Sequence, residues 1–345
     1  MPYHFTNLVF EGGGVKGIAY VGALKALEEM GILSRIQRVA GTSVGAINAV
    51  LVGLGYTTEE TRKILWDMDF NKFMDASGGF IGFMTNAFRL FGSYGWFKGD
   101  FCQNWIGELV KAKTGDARCT FAMAEAMKKY RGFKSMYFMT TNICTRFSEV
   151  FSAEKTPDVP IAEAVRFSMS LPFFFATKRY GARQDVYVDG GVLDNYPVKI
   201  FDRMRYVTAA NGARYTAYYD AINREFLEKH PLSSPYAYNK ETLGFRLDSK
   251  DEISLFRDQN EPVAHEVSGL FSFIWNIAFT YLEAQDNAHL HSDDWQRTIY
   301  IDTLGVSTTD FSISNEKKEA LVNSGSNGAK AYFDWYGDCP DAANK

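Results

Sequence analysis

The first 53 residues alternate twice between a short apolar segment, a glycine-containing turn and an Ala-rich or apolar segment of helical length. Residues 7–11 predict a buried strand, and residues 15–30 predict a helix. Residues 38–43 predict a second strand, which leads into a buried helix over residues 44–53. This order favours a parallel sheet that is covered by helices on both faces. We therefore predict an α/β fold of three layers, α/β/α, around a central and mostly parallel sheet.

Later segments continue the alternation and then become harder to interpret. We predict strands over 134–143, 146–152, 243–248 and 297–302, and a strand that ends in a second glycine turn over 184–198. Helices are predicted over 161–170, 268–288 and 314–336. The two strands at 134–143 and 146–152 are expected to pair as a hairpin. No internal repeat, low-complexity tract or Pro-rich linker divides the chain. We predict a catalytic domain over 1–205 and expect residues 206–345 to complete the same domain.

Composition excludes several classes of function. The 345 residues are 46% hydrophobic and 23% charged, which is ordinary for a globular protein. The net charge of −4 comes with no basic stripe, so no nucleic-acid partner is expected. The first ten residues lack the features of a secretory signal, and the longest apolar stretches are interrupted before the roughly 18 residues of a membrane span. We expect a cytoplasmic or peripheral membrane protein, with export as an effector by a signal-less route as the alternative.

Gly12, Gly14 and Gly17 follow the first strand with the spacing of a dinucleotide-binding fingerprint. That site needs an acidic residue about 20 positions further on, at the end of the second strand, to bind the ribose. The second strand instead ends at Ala40-Gly41-Thr42, without an acid, and no Walker A lysine follows the glycines. The sequence disfavours nucleotide binding here but leaves it as an alternative.

The end of the second strand carries Gly41-Thr42-Ser43-Val44-Gly45, the G-x-S-x-G pattern of a nucleophile elbow. Such a turn exposes the serine hydroxyl, and the flanking glycines avoid steric clashes. The following helix directs the positive end of its dipole at the attacking oxygen. Ser43 is therefore the predicted nucleophile, and a tight turn with an idle serine is the alternative.

The general base is predicted to be Asp189, which ends a strand and precedes Gly190 and Gly191. In α/β-hydrolases the order is Ser, acid and His, and the elbow follows several earlier strands; only 42 residues precede Ser43, too few for that arrangement. None of the five histidines lies in a convincing catalytic turn. The stretch from His289 to Asp294 was weighed as a metal site and is interpreted as solvated surface. An aspartate can accept the serine proton if burial raises its pKa. A capping role is the alternative for Asp189.

The opening glycine loop then has a role in acyl transfer. The backbone N–H groups of Gly13, Gly14 and Gly12, at the start of a helix, are suited to hold the tetrahedral oxyanion. Lys16 places a positive charge beside the same loop. It is interpreted either as a contact for a substrate phosphate head group or as a surface lysine.

Together these motifs resemble the patatin-like phospholipase family. The matching segments are the Glu11–Gly17 loop, the Gly41–Gly45 elbow and Asp189-Gly-Gly, in the family's order, and the resemblance covers about residues 6–205. It implies a patatin-like sheet between helices and hydrolysis of acyl esters of phospholipids or other lipids. It implies Ser43 as nucleophile, Asp189 as base, Gly12, Gly13 and Gly14 as the oxyanion loop, and no cofactor or metal, calcium included. The alternatives are a dinucleotide-binding module and a catalytically idle scaffold of the same fold.

A lipid substrate requires an apolar contact surface. Segment 78–97 is glycine-rich and aromatic and is interpreted either as a lid or as an irregular packed excursion. The lid or acyl-pocket residues predicted here and near residue 174 are Phe80, Phe83, Met84, Phe88, Phe91, Trp96, Phe173, Phe174 and Phe175. The aromatic face of 270–282 is interpreted as a core helix. Because the chain has no net basic charge, we expect a transient, largely hydrophobic membrane contact or help from a protein activator.

Overall fold

The structure is a computed structural model, and it describes residues 3–69, 72, 94–248, 293–308 and 310–345. The helix predicted over 268–288 and most of segment 78–97 lie outside these residues. The described strands are β1 (Asn7–Phe10), β2 (Arg38–Gly41), β3 (Gly95–Phe97), β4 (Ser135–Asn142), β5 (Phe147–Ser152), β6 (Phe173–Phe175), β7 (Lys178–Tyr180), β8 (Asp185–Asp189), β9 (Ala213–Arg214), β10 (Tyr238–Asn239), β11 (Thr242–Asp248) and β12 (Thr298–Asp302). The described α-helices are α1 (Tyr20–Glu29), α2 (Val44–Gly53), α3 (Thr58–Trp66), α4 (Asp100–Thr114), α5 (Phe121–Arg131), α6 (Ile161–Ser168), α7 (Gly191–Asp194), α8 (Ala217–Lys229) and α9 (Asn315–Asp338).

The central sheet has eight strands, with the order β12-β11-β1-β2-β4-β8-β7 and with β5 also paired to β4. The five strands from β12 to β4 are mutually parallel, whereas β8, β7 and β5 run antiparallel to their neighbours. Every residue of β1, β4, β8 and β11 is buried. Burial on both faces is expected where helices cover a parallel sheet. The prediction of an α/β fold with a mostly parallel central sheet between helices is confirmed.

Strand β4 brings the ends of β2 and β8 together. β2 pairs with the first half of β4, and its last residue, Gly41, lies opposite Phe138. β8 pairs with the last residues of β4, and its last residue, Asp189, lies opposite Thr140. Because β5 occupies the other edge of β4 through both regions, β2 and β8 share one edge. They approach each other head to head, so the turns that follow Gly41 and Asp189 meet.

The part of the chain beyond residue 205 adds to the same sheet. β11 pairs with the free edge of β1, and β12 pairs with β11. Helix α9 packs along α1 at close range, because a Cβ at Gly22 would lie 1.8 Å from the carbonyl oxygen of Val322. A Cβ at Gly325 would lie 1.9 Å from that of Ala19. Glycine at these two positions lets the helix backbones approach more closely than side chains would allow.

Several predicted boundaries shift by a turn or less. The first predicted helix begins with a 3₁₀ turn, Gly14–Ala19, before α1, and α6 ends at Ser168 rather than residue 170. The hairpin of β4 and β5 is confirmed. No helix of the described ranges has the length and apolarity needed to cross a membrane.

The interpretation of the stretch from His289 to Asp294 as solvated surface is wrong at Asp294. The stretch around Asp294, interpreted as solvated surface, carries a buried ion pair: Asp294 is 2% exposed and its Oδ1 accepts hydrogen bonds from the Arg297 guanidinium at 2.6 and 3.0 Å. Arg297 also binds both carboxylate oxygens of Asp202 at 2.6 and 2.7 Å. A pair of carboxylates around one guanidinium permits burial that either charge alone would oppose. The pairing depends on Asp202, 95 positions away, and so could not be read from the local sequence.

Candidate active site

Ser43 occupies a strained turn between β2 and α2. Its φ of 54° and ψ of −124° are unfavourable for a residue with a Cβ, and such strain is found at functional sites. The neighbouring glycines allow the turn to pack tightly. A Cβ at Gly41 would lie 2.3 Å from the backbone of Gly45, and one at Gly45 would lie 2.4 Å from the carbonyl oxygen of Phe10. The predicted elbow conformation is therefore present, with Ser43 half-buried at its tip.

Asp189 lies at the end of β8 with its side chain buried and turned toward Ser43. Its Oδ1 accepts a hydrogen bond of 2.8 Å from the N–H of Gly191. The Ser43 side chain lies close enough to the Asp189 carboxyl group to lower its pKa by hydrogen bonding. Burial raises the pKa of Asp189 from an ordinary 3.8 to about 7, while the hydrogen bonds from Gly191 and Ser43 lower it. An aspartate with a pKa near neutrality is a much stronger base than a solvated one.

The glycine loop lies against the serine turn, since a Cβ at Gly12 would lie 3.3 Å from the Cβ of Ser43. Asn195, which follows α7, holds the loop: its carbonyl accepts from the Gly12 N–H at 3.2 Å, and its side-chain amide donates to the Gly12 carbonyl at 3.3 Å. The N–H of Gly12 is thus already used, which corrects the expectation that it belongs to the oxyanion loop as a donor. Asn195 itself was not predicted from the sequence.

Three backbone N–H groups remain at the start of the two helical segments. Within the described part of the chain, the N–H groups of Gly13, Gly14 and Val44 have no hydrogen-bond acceptor. Gly14 has a φ of 54°, and Val44 is the first residue of α2. Val44 was not singled out by the sequence, although the residue after the nucleophile is a usual oxyanion donor in elbow enzymes. These amides are the donors that the fold leaves available beside Ser43.

The far wall of the site comes from the C-terminal part. A Cβ at Gly14 would lie 2.2 Å from the carbonyl oxygen of Thr308, which accepts from the Val15 N–H at 3.2 Å. A Cβ at Gly13 would lie 2.6 Å from Cδ1 of Leu247. The N–H of Leu247 in turn donates to the buried Glu11 carboxylate at 2.6 Å. Sequence reasoning found no motif in this part because these contacts are made mostly by backbone and aliphatic groups.

Some of the remaining predicted residues are described, and the others lie outside the described ranges. Lys16 is partly buried, and its Cε lies 3.6 Å from the Cβ position of Gly13. Phe173 is 49% exposed with a φ of 66°, Phe174 packs on Phe97 and Phe311, and Phe175 is buried. Trp96 belongs to β3, which pairs with β6. The other predicted lid residues, namely Phe80, Phe83, Met84, Phe88 and Phe91, lie outside the described residues.

Clusters that would suggest a metal are absent where the structure is described: no group of three or more His, Cys, Asp or Glu side chains there has an arrangement that could hold an ion.

A mostly parallel α/β sheet that presents a strained serine beside a glycine loop is the architecture of a serine-type ester hydrolase. The family model of the patatin-like phospholipases matches residues 8–202, more than half of the chain. The chain therefore belongs to the patatin-like phospholipase family and is a lipid ester hydrolase. The resemblance that the sequence motifs indicated is confirmed.

Relatives agree with this assignment. The chain is 29% identical over 329 residues to an uncharacterized protein of Bacillus subtilis, YqhO. The alignment covers 93% of this chain and 95% of that protein. It is 28% identical to a probable lipid hydrolase, 463L, of Invertebrate iridescent virus 6, over 58% of this chain and 64% of the relative. Among solved structures, VipD from Legionella pneumophila matches with a TM-score of 0.56 at 19% identity, over 96% of this chain and 67% of VipD, and so shares the fold.

Proposed function

We propose that this protein hydrolyses acyl esters of phospholipids, as a phospholipase A or lysophospholipase, through a dyad of Ser43 and Asp189. The observation that carries the proposal is the strained turn at Ser43, whose side chain acts on the buried carboxyl group of Asp189, a group with a pKa raised to about 7 by burial. A turn that was only structural would not require an aspartate to be buried at this energetic cost.

The chemistry follows from the positions of the groups. Oγ of Ser43 attacks the ester carbonyl carbon while its proton passes to the Asp189 carboxylate. The negative charge on the carbonyl oxygen is stabilised by the N–H groups of Gly13, Gly14 and Val44, with Gly12 supporting the loop through Asn195. Collapse of this intermediate breaks the bond to the alcohol, which takes the proton from Asp189. Water then cleaves the acyl-enzyme with the same base, releasing the fatty acid and restoring Ser43.

The substrate class follows from the family, and the aromatic residues 173–175 are consistent with it. Phe174 packs against Phe175 and Phe311, and Phe173 exposes an aromatic ring. We assign Phe173, Phe174 and Phe175 to acyl or membrane contact, together with the predicted lid of segment 78–97. Lys16, for which the described residues show no ion pair, is proposed to meet the phosphate head group. The enzyme would then act at a membrane surface by transient contact.

Two further properties belong to this proposal. No metal takes part in the dyad chemistry, so hydrolysis should be unchanged when calcium is chelated. An activator is also proposed, and a relative from Escherichia coli, 43% identical over 60 residues, is named a cUMP-AMP-activated phospholipase. We further propose that residues 206–345 form one catalytic unit with residues 1–205, which the pairing of β11 with β1 and the contact of Thr308 with the glycine loop support.

A fluorophosphonate probe tests the dyad directly, because it labels an activated serine without requiring the lipid substrate. The wild type should be labelled and should hydrolyse both a short-chain nitrophenyl ester and phospholipid vesicles. Ser43→Ala and Asp189→Asn should abolish both reactions, whereas Ser34→Ala, at an exposed serine, should leave them unchanged. A wild type that is neither labelled nor active would indicate an idle scaffold, and nucleotide-dependent thermal stabilisation would revive the dinucleotide alternative.

A further inference from the structure

A short segment at the end of α6 receives the backbone N–H groups of both proposed dyad residues. The N–H of Ser43 donates to Oγ of Ser168 at 3.0 Å, and the N–H of Asp189 donates to the carbonyl of Ser170 at 2.9 Å. The N–H of Gly190 approaches the carbonyl of Ser168 at 3.4 Å. The two turns that meet head to head are therefore both bound to residues 168–170.

Ser168 is the member of this segment that acts through its side chain. It is fully buried, at 0% exposure, and its hydroxyl oxygen accepts a hydrogen bond from the N–H of Ser43, whose backbone is strained. Removing that oxygen would leave the partly buried Ser43 N–H without its protein partner, which favours relaxation of the turn. The orientation of the Ser43 hydroxyl toward Asp189 depends on that same turn.

Arg166 anchors the segment from the other side. Its buried guanidinium donates to Oγ of Ser170 at 2.5 Å and to the carbonyls of Gly99, Lys98 and Ala176 at 3.0, 2.8 and 2.7 Å. Oγ of Ser170 donates back to the Arg166 carbonyl at 2.8 Å. The segment is therefore a rigid support, and a loss at Ser168 would be transmitted to Ser43 rather than absorbed by movement of α6.

We propose that Ser168 is a positioning residue for the dyad: its hydroxyl oxygen holds the strained backbone of Ser43 so that the Ser43 side chain meets Asp189. This inference rests on the proposed function of Ser43 and Asp189 and assigns the role to a residue that touches neither the ester nor the oxyanion. It acts on the geometry of the nucleophile and leaves the binding of the substrate alone.

The expected effect of Ser168→Ala is a fall in kcat of about 10- to 100-fold on a soluble short-chain ester, with KM within about twofold of the wild type. The rate of fluorophosphonate labelling should fall by a similar factor. The acid limb of the pH profile should move to higher pH, because the hydrogen bond from Ser43 lowers the pKa of Asp189 and would be weakened.

The experiment measures kcat, KM, labelling rate and pH profile on the full chain. Ser152→Ala is the matched control, because Ser152 is 1% exposed and its hydroxyl has no hydrogen-bond partner within the described residues. Ser168→Cys keeps the size of the side chain with a weaker acceptor and should give an intermediate kcat, and it serves if Ser168→Ala fails to fold.

The outcomes separate the two proposals. A wild type that is active and labelled at Ser43, with Ser168→Ala matching it in kcat and pH profile, overturns the positioning role and leaves the dyad in place. A loss of kcat that Ser152→Ala shares to the same extent also overturns it. Activity that survives Ser43→Ala overturns the proposed function itself.

Discussion

Asp189→Asn should make the protein more stable while it removes activity. Folding takes the Asp189 carboxyl group from water, where its pKa is 3.8, to a buried site where it is about 7. The difference of about 3 corresponds to about 4 kcal/mol against the ionised form, at about 1.4 kcal/mol for each pKa unit. An asparagine keeps the oxygen that accepts from the Gly191 N–H and carries no charge to bury.

The effect should depend on pH in a defined direction. The pKa of Asp189 is higher in the folded protein than in the unfolded chain. Its contribution to the stability of the wild type is therefore fully present below about pH 4, where the carboxyl group is protonated in both states, and it is lost as the pH rises through about 7. The stability of Asp189→Asn relative to wild type should therefore increase between pH 4 and pH 8, by about 3–4 kcal/mol in the limit set by the pKa. The predicted gain is largest above about pH 7, where Asp189 is ionised.

Urea unfolding at several pH values between 4 and 8 measures this difference. Asp334→Asn, at an exposed position of α9, controls for loss of a carboxylate as such. A difference between Asp189→Asn and wild type that stays constant across this range would refute the reasoning, because the burial of Asp189 would then carry no cost in ionisation.

Three further predictions concern the site and its support. The kcat/KM for a soluble ester should rise with pH through an acid limb near pH 7, because Asp189 accepts a proton only when ionised, and a limb near pH 4 would contradict this role. Gly14→Ala should lower kcat about 100-fold or more in steady-state assays, because Gly14 has a φ of 54° and a Cβ would lie 2.2 Å from the carbonyl oxygen of Thr308. The control is Gly31→Ala, which is also at positive φ but has open space around it and should leave kcat unchanged. Arg166→Ala should reduce the free energy of unfolding by several kcal/mol in denaturant titrations, because three backbone carbonyls lose their donor at a cost of about 1–3 kcal/mol each. A change below about 1 kcal/mol would show that the clamp contributes little.

Much of the fold was predictable because its information is local. The β4–β5 hairpin follows from neighbouring residues, and it is present in the structure. The elbow at Ser43 was predictable for the same reason, since a strand, two glycines and a buried helix in direct sequence leave little freedom. Asp294 was not, because whether an aspartate is solvated or buried depends on a guanidinium and a second carboxylate brought to it by the fold.

The candidate site also combines features that the sequence predicts with features that depend on the tertiary structure. Residue types and spacing alone were enough to propose the groups that carry the chemistry, namely Ser43, Asp189 and the glycine loop, because a strained turn tolerates few residues besides glycine at its flanks. Only the tertiary structure decided how they are arranged. The shared edge of β4 brings the two turns together, and Asn195 uses the Gly12 N–H. The pKa of Asp189 is likewise a tertiary property, because the burial that raises it is created by segments far apart in the chain.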